Sequence, residues 1–120
     1  MTDYKLGAVE SRFADIVWEH EPLSTAELIK LCGGELQWKR TTTYTVLKKL
    51  CEHGIFQMKD SIVTALISKE EYDSTQSERF VRETFDGSLP AFIAAFTKKK
   101  SLSAEEIAEI RRMIDPGEEG

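Results

Sequence analysis

Leu6, Val9, Phe13, Ile16 and Val17 recur at three- and four-residue intervals, a spacing that predicts one apolar stripe on a helix over residues 6–20. Pro22 ends that helix, because proline disfavours helical geometry in the residue before it, here Glu21. Ser24-Thr25-Ala26-Glu27 has the spacing of a capping box. It opens a short second helix through Leu28, Ile29, Leu31 and Cys32, which Gly33-Gly34 is expected to close. A third helix is expected from Lys39 to His53, ahead of Gly54, with Thr43, Val46, Leu47 and Leu50 turned inward.

Past Gly54 the pattern changes. Ile55–Met58 and Ile62–Ile67 are β-favouring runs parted by Lys59-Asp60-Ser61 as a hairpin tip. Ser68-Lys69-Glu70-Glu71 opens a long helical stretch carrying Tyr72, Phe80, Val81, Thr84 and Phe85. Gly87 and Pro90 interrupt it before Leu89, Phe92, Ile93 and Phe96 resume a helical face. Ser103-Ala104-Glu105-Glu106 caps a last helix with Ile107, Ile110, Met113 and Ile114 inward. Three helices followed by a hairpin is the order of a winged helix-turn-helix, whose third helix enters the DNA major groove. The expected fold class is therefore mainly α (α+β). A winged-helix DNA-binding domain is expected over residues 1–68, a helical dimerisation region over 69–115 and a disordered tail over 116–120.

Charge sharpens this reading. The 120-residue chain carries a formal net charge of −5, which taken alone argues against nucleic acid. Residues 36–59, however, hold Lys39, Arg40, Lys48, Lys49 and Lys59 against Glu52 alone, a local net of +4. Local charge dominates within a Debye length of about 8 Å. With Leu47 turned inward, the helical wheel puts Thr41, Thr42, Thr45, Lys48, Lys49 and Glu52 on the outward half. Threonine hydroxyls and methyls suit base edges, and the lysines further along suit flanking phosphates. Arg40 belongs to the same basic run, and Lys59 is the wing's one cation toward a phosphate. Tyr44 falls between the two faces, able to edge the core or touch the DNA backbone. Trp38 reads as a core anchor before a base-stacking residue. Ser24 and Thr25 head the second helix, where capping accounts for them and an amide aimed at a phosphate is the alternative.

Other chemistries find little support. Cys32, Cys51, His20 and His53 lack zinc-site spacing. No arrangement suits a cysteine nucleophile, and no glycine-rich phosphate loop occurs. Acidic pairs such as Glu70-Glu71 and Glu105-Glu106 lie in first helical turns, where the helix dipole favours them. No enzyme, metal or cofactor is expected. No apolar run approaches the roughly 20 residues of a membrane span, and the charged N-terminus lacks a signal core, so the expected location is the cytoplasm. Phe80, Phe85, Leu89, Phe92, Ile93 and Phe96 are more apolar surface than two or three helices can bury on themselves. A symmetric dimer would cover them and present two recognition helices to two half-sites.

The chain resembles the penicillinase and methicillin-resistance repressors of bacteria, a family that includes copper-responsive repressors, over roughly residues 6–114. The resemblance rests on five segments in order: Asp15-Ile-Val-Trp18, Pro22-Leu-Ser-Thr-Ala-Glu27, Trp38 to Leu50, Ile67-Ser-Lys-Glu-Glu-Tyr72 and Leu102-Ser-Ala-Glu-Glu-Ile107. It implies a homodimeric winged-helix repressor on an inverted-repeat operator. Thr41, Thr42 and Thr45 would lie at the bases, and Lys49 would replace the usual arginine near the backbone. It further implies regulation by a sensor-linked protease that cuts the tail helix before a phenylalanine. Here that candidate cleavage site is Ala95-Phe96, where the best-known members have asparagine before the phenylalanine. The wing, Asp60-Ser-Ile-Val, has few basic residues, and the cysteine pairs of the copper-responsive branch are absent. The leading reading is a sequence-specific DNA-binding repressor; the alternative is a winged-helix module that binds protein and not DNA.

Overall fold

Phe13, Val17, Leu28, Leu47, Leu50, Ile55, Phe56 and Val63 are all sealed from solvent, and the elements that carry them form the first half of the chain. The computed structural model describes residues 3–115; the tail expected at 116–120 lies outside them. The elements run α1 (Ala8–His20), β1 (Leu23–Ser24), α2 (Thr25–Glu35), α3 (Arg40–Glu52), β2 (Phe56–Lys59), β3 (Ile62–Ala65), α4 (Lys69–Thr84), α5 (Leu89–Lys99) and α6 (Ala104–Ile114). The result is a mainly α winged helix with a small antiparallel sheet.

Helix α1 starts two residues later than the stripe suggested. Gly7 caps it, and the Gly7 amide donates to the Glu10 carboxylate at 2.9 Å. Leu6 is buried just ahead of the helix. Val9 is 52% exposed on the first turn of α1, a helix whose buried residues begin at Phe13. Helix α2 runs through Gly33 and Gly34 to Glu35 instead of ending at them. Its capping box forms as expected: the Ser24 hydroxyl accepts from the Glu27 amide and Glu27 accepts from the Ser24 amide, both at 3.1 Å. The chain turns at Gln37, held at φ 55°, while the Cys32 carbonyl accepts from both Leu36 and Trp38.

The sheet has a third strand that the sequence did not announce. Leu23 and Ser24 pair with Val63 and Ile62, giving the order β1-β3-β2. Two residues are too few to leave a periodic signal. In the hairpin, Lys59 faces Ile62 across a two-residue turn, with Asp60 at φ 53° and Ser61 at φ 63°. Two consecutive positive φ angles fit the turn type whose twist matches antiparallel strands.

The chain divides into two compact units between Arg79 and Phe80. The first therefore extends past residue 68, because Tyr72 belongs to its core. Tyr72 is buried, and its hydroxyl accepts a 2.7 Å hydrogen bond from the Leu6 amide. Arg79 donates to the Asp3 carbonyl further along the same helix.

The second unit holds the end of α4 with α5 and α6. Serine caps start both later helices, Ser88 accepting from Ala91 and Ser103 from Glu106. Phe80, Phe85 and Phe92 meet edge-to-face at 5.7–6.0 Å, and Phe96 lies 6.1 Å from Phe92. Yet no described residue from 80 onward is buried. Ile107, Met113 and Ile114, expected inward, are exposed, Met113 at 72%, since none of the described residues covers them.

Candidate nucleic-acid interface

Thr43 sets the rotation of α3. It is buried beside Leu47 and Leu50, and its hydroxyl and amide both bond to the Lys39 carbonyl, at 3.1 and 3.0 Å. With that side fixed inward, Thr41, Thr42, Thr45, Lys48, Lys49 and Glu52 are all exposed, as the helical wheel predicts, and Arg40 ahead of them is exposed too. The Thr45 hydroxyl donates to the Thr41 carbonyl at 2.8 Å, which leaves the hydroxyl oxygen able to accept. Among the described residues, Arg40 and Lys48 have no carboxylate within ion-pair distance.

Tyr44 is half-buried and borders a cavity of about 330 Å³ with Leu47, Lys48, Cys51 and Met58. Its ring carries the Arg40 guanidinium at 5.4 Å from the ring centroid. The ring thus sits at the edge of the core beside Leu47, with an arginine over one face.

Lys49 is paired within the chain. Its ammonium sits 3.1 Å from the Glu10 carboxylate and 5.5 Å from the centre of the Tyr4 ring. The Tyr4 hydroxyl donates to Glu10 at 2.7 Å, and the Tyr4 ring stacks on His53 at 3.9 Å. Burial pushes the Glu10 carboxyl up, but hydrogen bonds from the Gly7 amide and the Tyr4 hydroxyl, together with Lys49, outweigh it and hold the group below its ordinary value. Tyr4 and Glu10 in turn hold the Lys49 ammonium above its own. Tyr4 and Glu10 carry no local signal in the sequence; the contact joins segments some forty residues apart.

Thr25 requires a correction. It is only 8% exposed, and its amide donates to the Ser61 carbonyl at 2.9 Å. The group offered to a phosphate already ties α2 to the wing turn. Lys59 is exposed at the end of β2, while Met58 and Ile62 leave the wing with considerable apolar surface. Trp38 stacks on Phe13 at 5.6 Å, the core anchor that the sequence favoured. Burial pushes the Cys32 thiol up to about 11, so it stays protonated at neutral pH. Among the described residues, no group of three His, Cys, Asp or Glu side chains is placed to hold a metal. No described helix is long and apolar enough to cross a membrane.

The three-helix unit, its hairpin wing and the exposed face of α3 define a winged helix-turn-helix. The chain belongs to the penicillinase repressor family, whose model matches residues 6–116, and is a repressor-family protein rather than an enzyme. It is 24% identical over 115 residues to the penicillinase repressor of Bacillus licheniformis, covering 92% of this chain and 90% of that one. It is 23% identical over 116 residues to the methicillin resistance regulatory protein MecI of Staphylococcus aureus (strain Mu50), covering 93% and 94% of the two chains. The MecI of Mammaliicoccus sciuri is 22% identical over 116 residues, with the same coverage.

Proposed function

We propose that this repressor acts in the cytoplasm as a homodimer that binds double-stranded DNA at an inverted-repeat operator through α3, without a cofactor. The observation that carries the reading is the exposed Thr41, Thr42 and Thr45 face, flanked by Arg40 and Lys48, on a helix whose opposite side is locked into the core. Small hydroxyl side chains can approach base edges, and the cations beside them neutralise phosphates. Lys59 supplies a further phosphate contact from the wing. The exposed aromatic face of the second unit, Phe80, Leu89 and Phe96 above all, gives the second copy a surface to cover. Phe85, Phe92 and Ile93 support that surface.

A sensor-linked protease cutting between Ala95 and Phe96 would divide α5 in mid-helix. Both residues are exposed, and the cut would part Phe96 and all of α6 from Phe80, Phe85 and Phe92. Release from the operator follows from loss of the dimer.

Titration of an operator-bearing duplex against salt tests the reading. With three or four phosphates neutralised per subunit, log K against log salt should have a slope of about −5 to −7 for the dimer. A slope near zero would overturn DNA binding as the function.

A further inference from the structure

Resting on that DNA-binding reading, we propose that Arg40 and Tyr44 act as one unit that reads a guanine in each half-site, Arg40 touching the base and Tyr44 positioning it. The two residues are one helical turn apart at the start of α3, and the guanidinium lies over the Tyr44 ring at 5.4 Å. Arg40 is exposed, and among the described residues no carboxylate competes for it. A guanidinium presents a planar fork of donors that matches the two acceptors on the major-groove edge of guanine, whereas an ammonium on a flexible stem lacks that fixed plane.

An exposed arginine ordinarily loses much rotamer freedom when it binds. The aromatic face removes part of that loss beforehand, and attraction between cation and ring holds the plane of the fork. The ring is itself restrained, since Tyr44 is half-buried and lines a cavity together with Leu47 and Met58. Among the described residues neither Lys48 nor Lys39 lies over an aromatic ring, and Lys49 is held by Glu10. The specificity of α3 is therefore unevenly spread: threonines accept and fill, while one prearranged arginine supplies the paired donors.

Selection from a duplex library with a randomised half-site, followed by salt titration of the winners, tests the unit in the intact chain. The unaltered protein should enrich guanine at one position per half-site. Arg40→Lys keeps the charge and should keep the salt slope, yet lose that preference about tenfold. Tyr44→Leu should lose it too, whereas Tyr44→Phe, which keeps the ring, should retain it. A merely structural Tyr44 would instead weaken binding to every duplex alike when replaced by leucine. Guanine preference surviving Arg40→Lys, or surviving Tyr44→Leu, overturns the inference while DNA binding stands. An unaltered chain that enriches no duplex and shows no salt dependence overturns the DNA-binding reading and this unit together.

Discussion

At the scale of single residues, Glu10 has the most to answer for, because three groups converge on its carboxylate: the Gly7 amide, the Tyr4 hydroxyl and the Lys49 ammonium. Its folded-state pKa lies below the ordinary 4.5. A carboxyl depressed by folding stabilises the folded state above its unfolded value, and that contribution fades as pH falls through the folded value. Urea midpoints measured from about pH 6 down to about pH 3 should therefore fall less steeply in Glu10→Gln than in the unaltered chain. Equal acid limbs in the two proteins would mean that the cluster does not bind its proton differently on folding. The same substitution releases Lys49, so the salt slope of DNA binding should steepen by up to about one per subunit.

At the scale of elements, α2 holds two glycines in helical backbone. A methyl group added at Gly33 would meet only the Trp38 carbonyl at 3.8 Å, and one at Gly34 would meet nothing within 4 Å. Gly33→Ala and Gly34→Ala should each raise stability, by about 0.5–1 kcal/mol at most, as a shift of the urea midpoint at constant slope. A loss at either site would show that these glycines serve something other than the helix. Those glycines also show where the sequence misleads. Gly33-Gly34 has the composition of a helix end, yet the left-handed residue that turns the chain is Gln37. Serine caps at Ser24, Ser68, Ser88 and Ser103 are local chemistry; three of the four carry glutamate three residues on and are plain in the sequence, whereas Ser88, between Gly87 and Pro90, has Ala91 there and gives no such signal. The outward side of α3 was legible because Thr43, Val46, Leu47 and Leu50 keep a clean period. Strand β1, the burial of Thr25 and the pairing of Lys49 with Glu10 were not, since each depends on which distant segment arrives alongside.

At the scale of the whole molecule, the second unit is an assembly of capped helices with no buried residue of its own among those described. Phe92→Asp puts a charge at the centre of its aromatic cluster, and burying that charge unpaired in an interface costs about 3 kcal/mol or more. Sedimentation equilibrium should find this variant monomeric, as it should a chain truncated after Ala95. Both should lose most operator affinity while the winged unit keeps its near-ultraviolet tryptophan signal. A dimer surviving either change would place the interface elsewhere.

The bare apolar surface of α5 and α6 also bears on how much of this protein a cell must keep. If those helices gain their core only from a second copy, their order is a matter of mass action, and the stability of the pair rises with the abundance of the chain. At levels below the dimerisation constant, halving the chain cuts the dimer about fourfold, so operator occupancy falls faster than the protein does. Synthesis and turnover would then set a threshold for repression, and losing a modest fraction of chains would suffice to cross it.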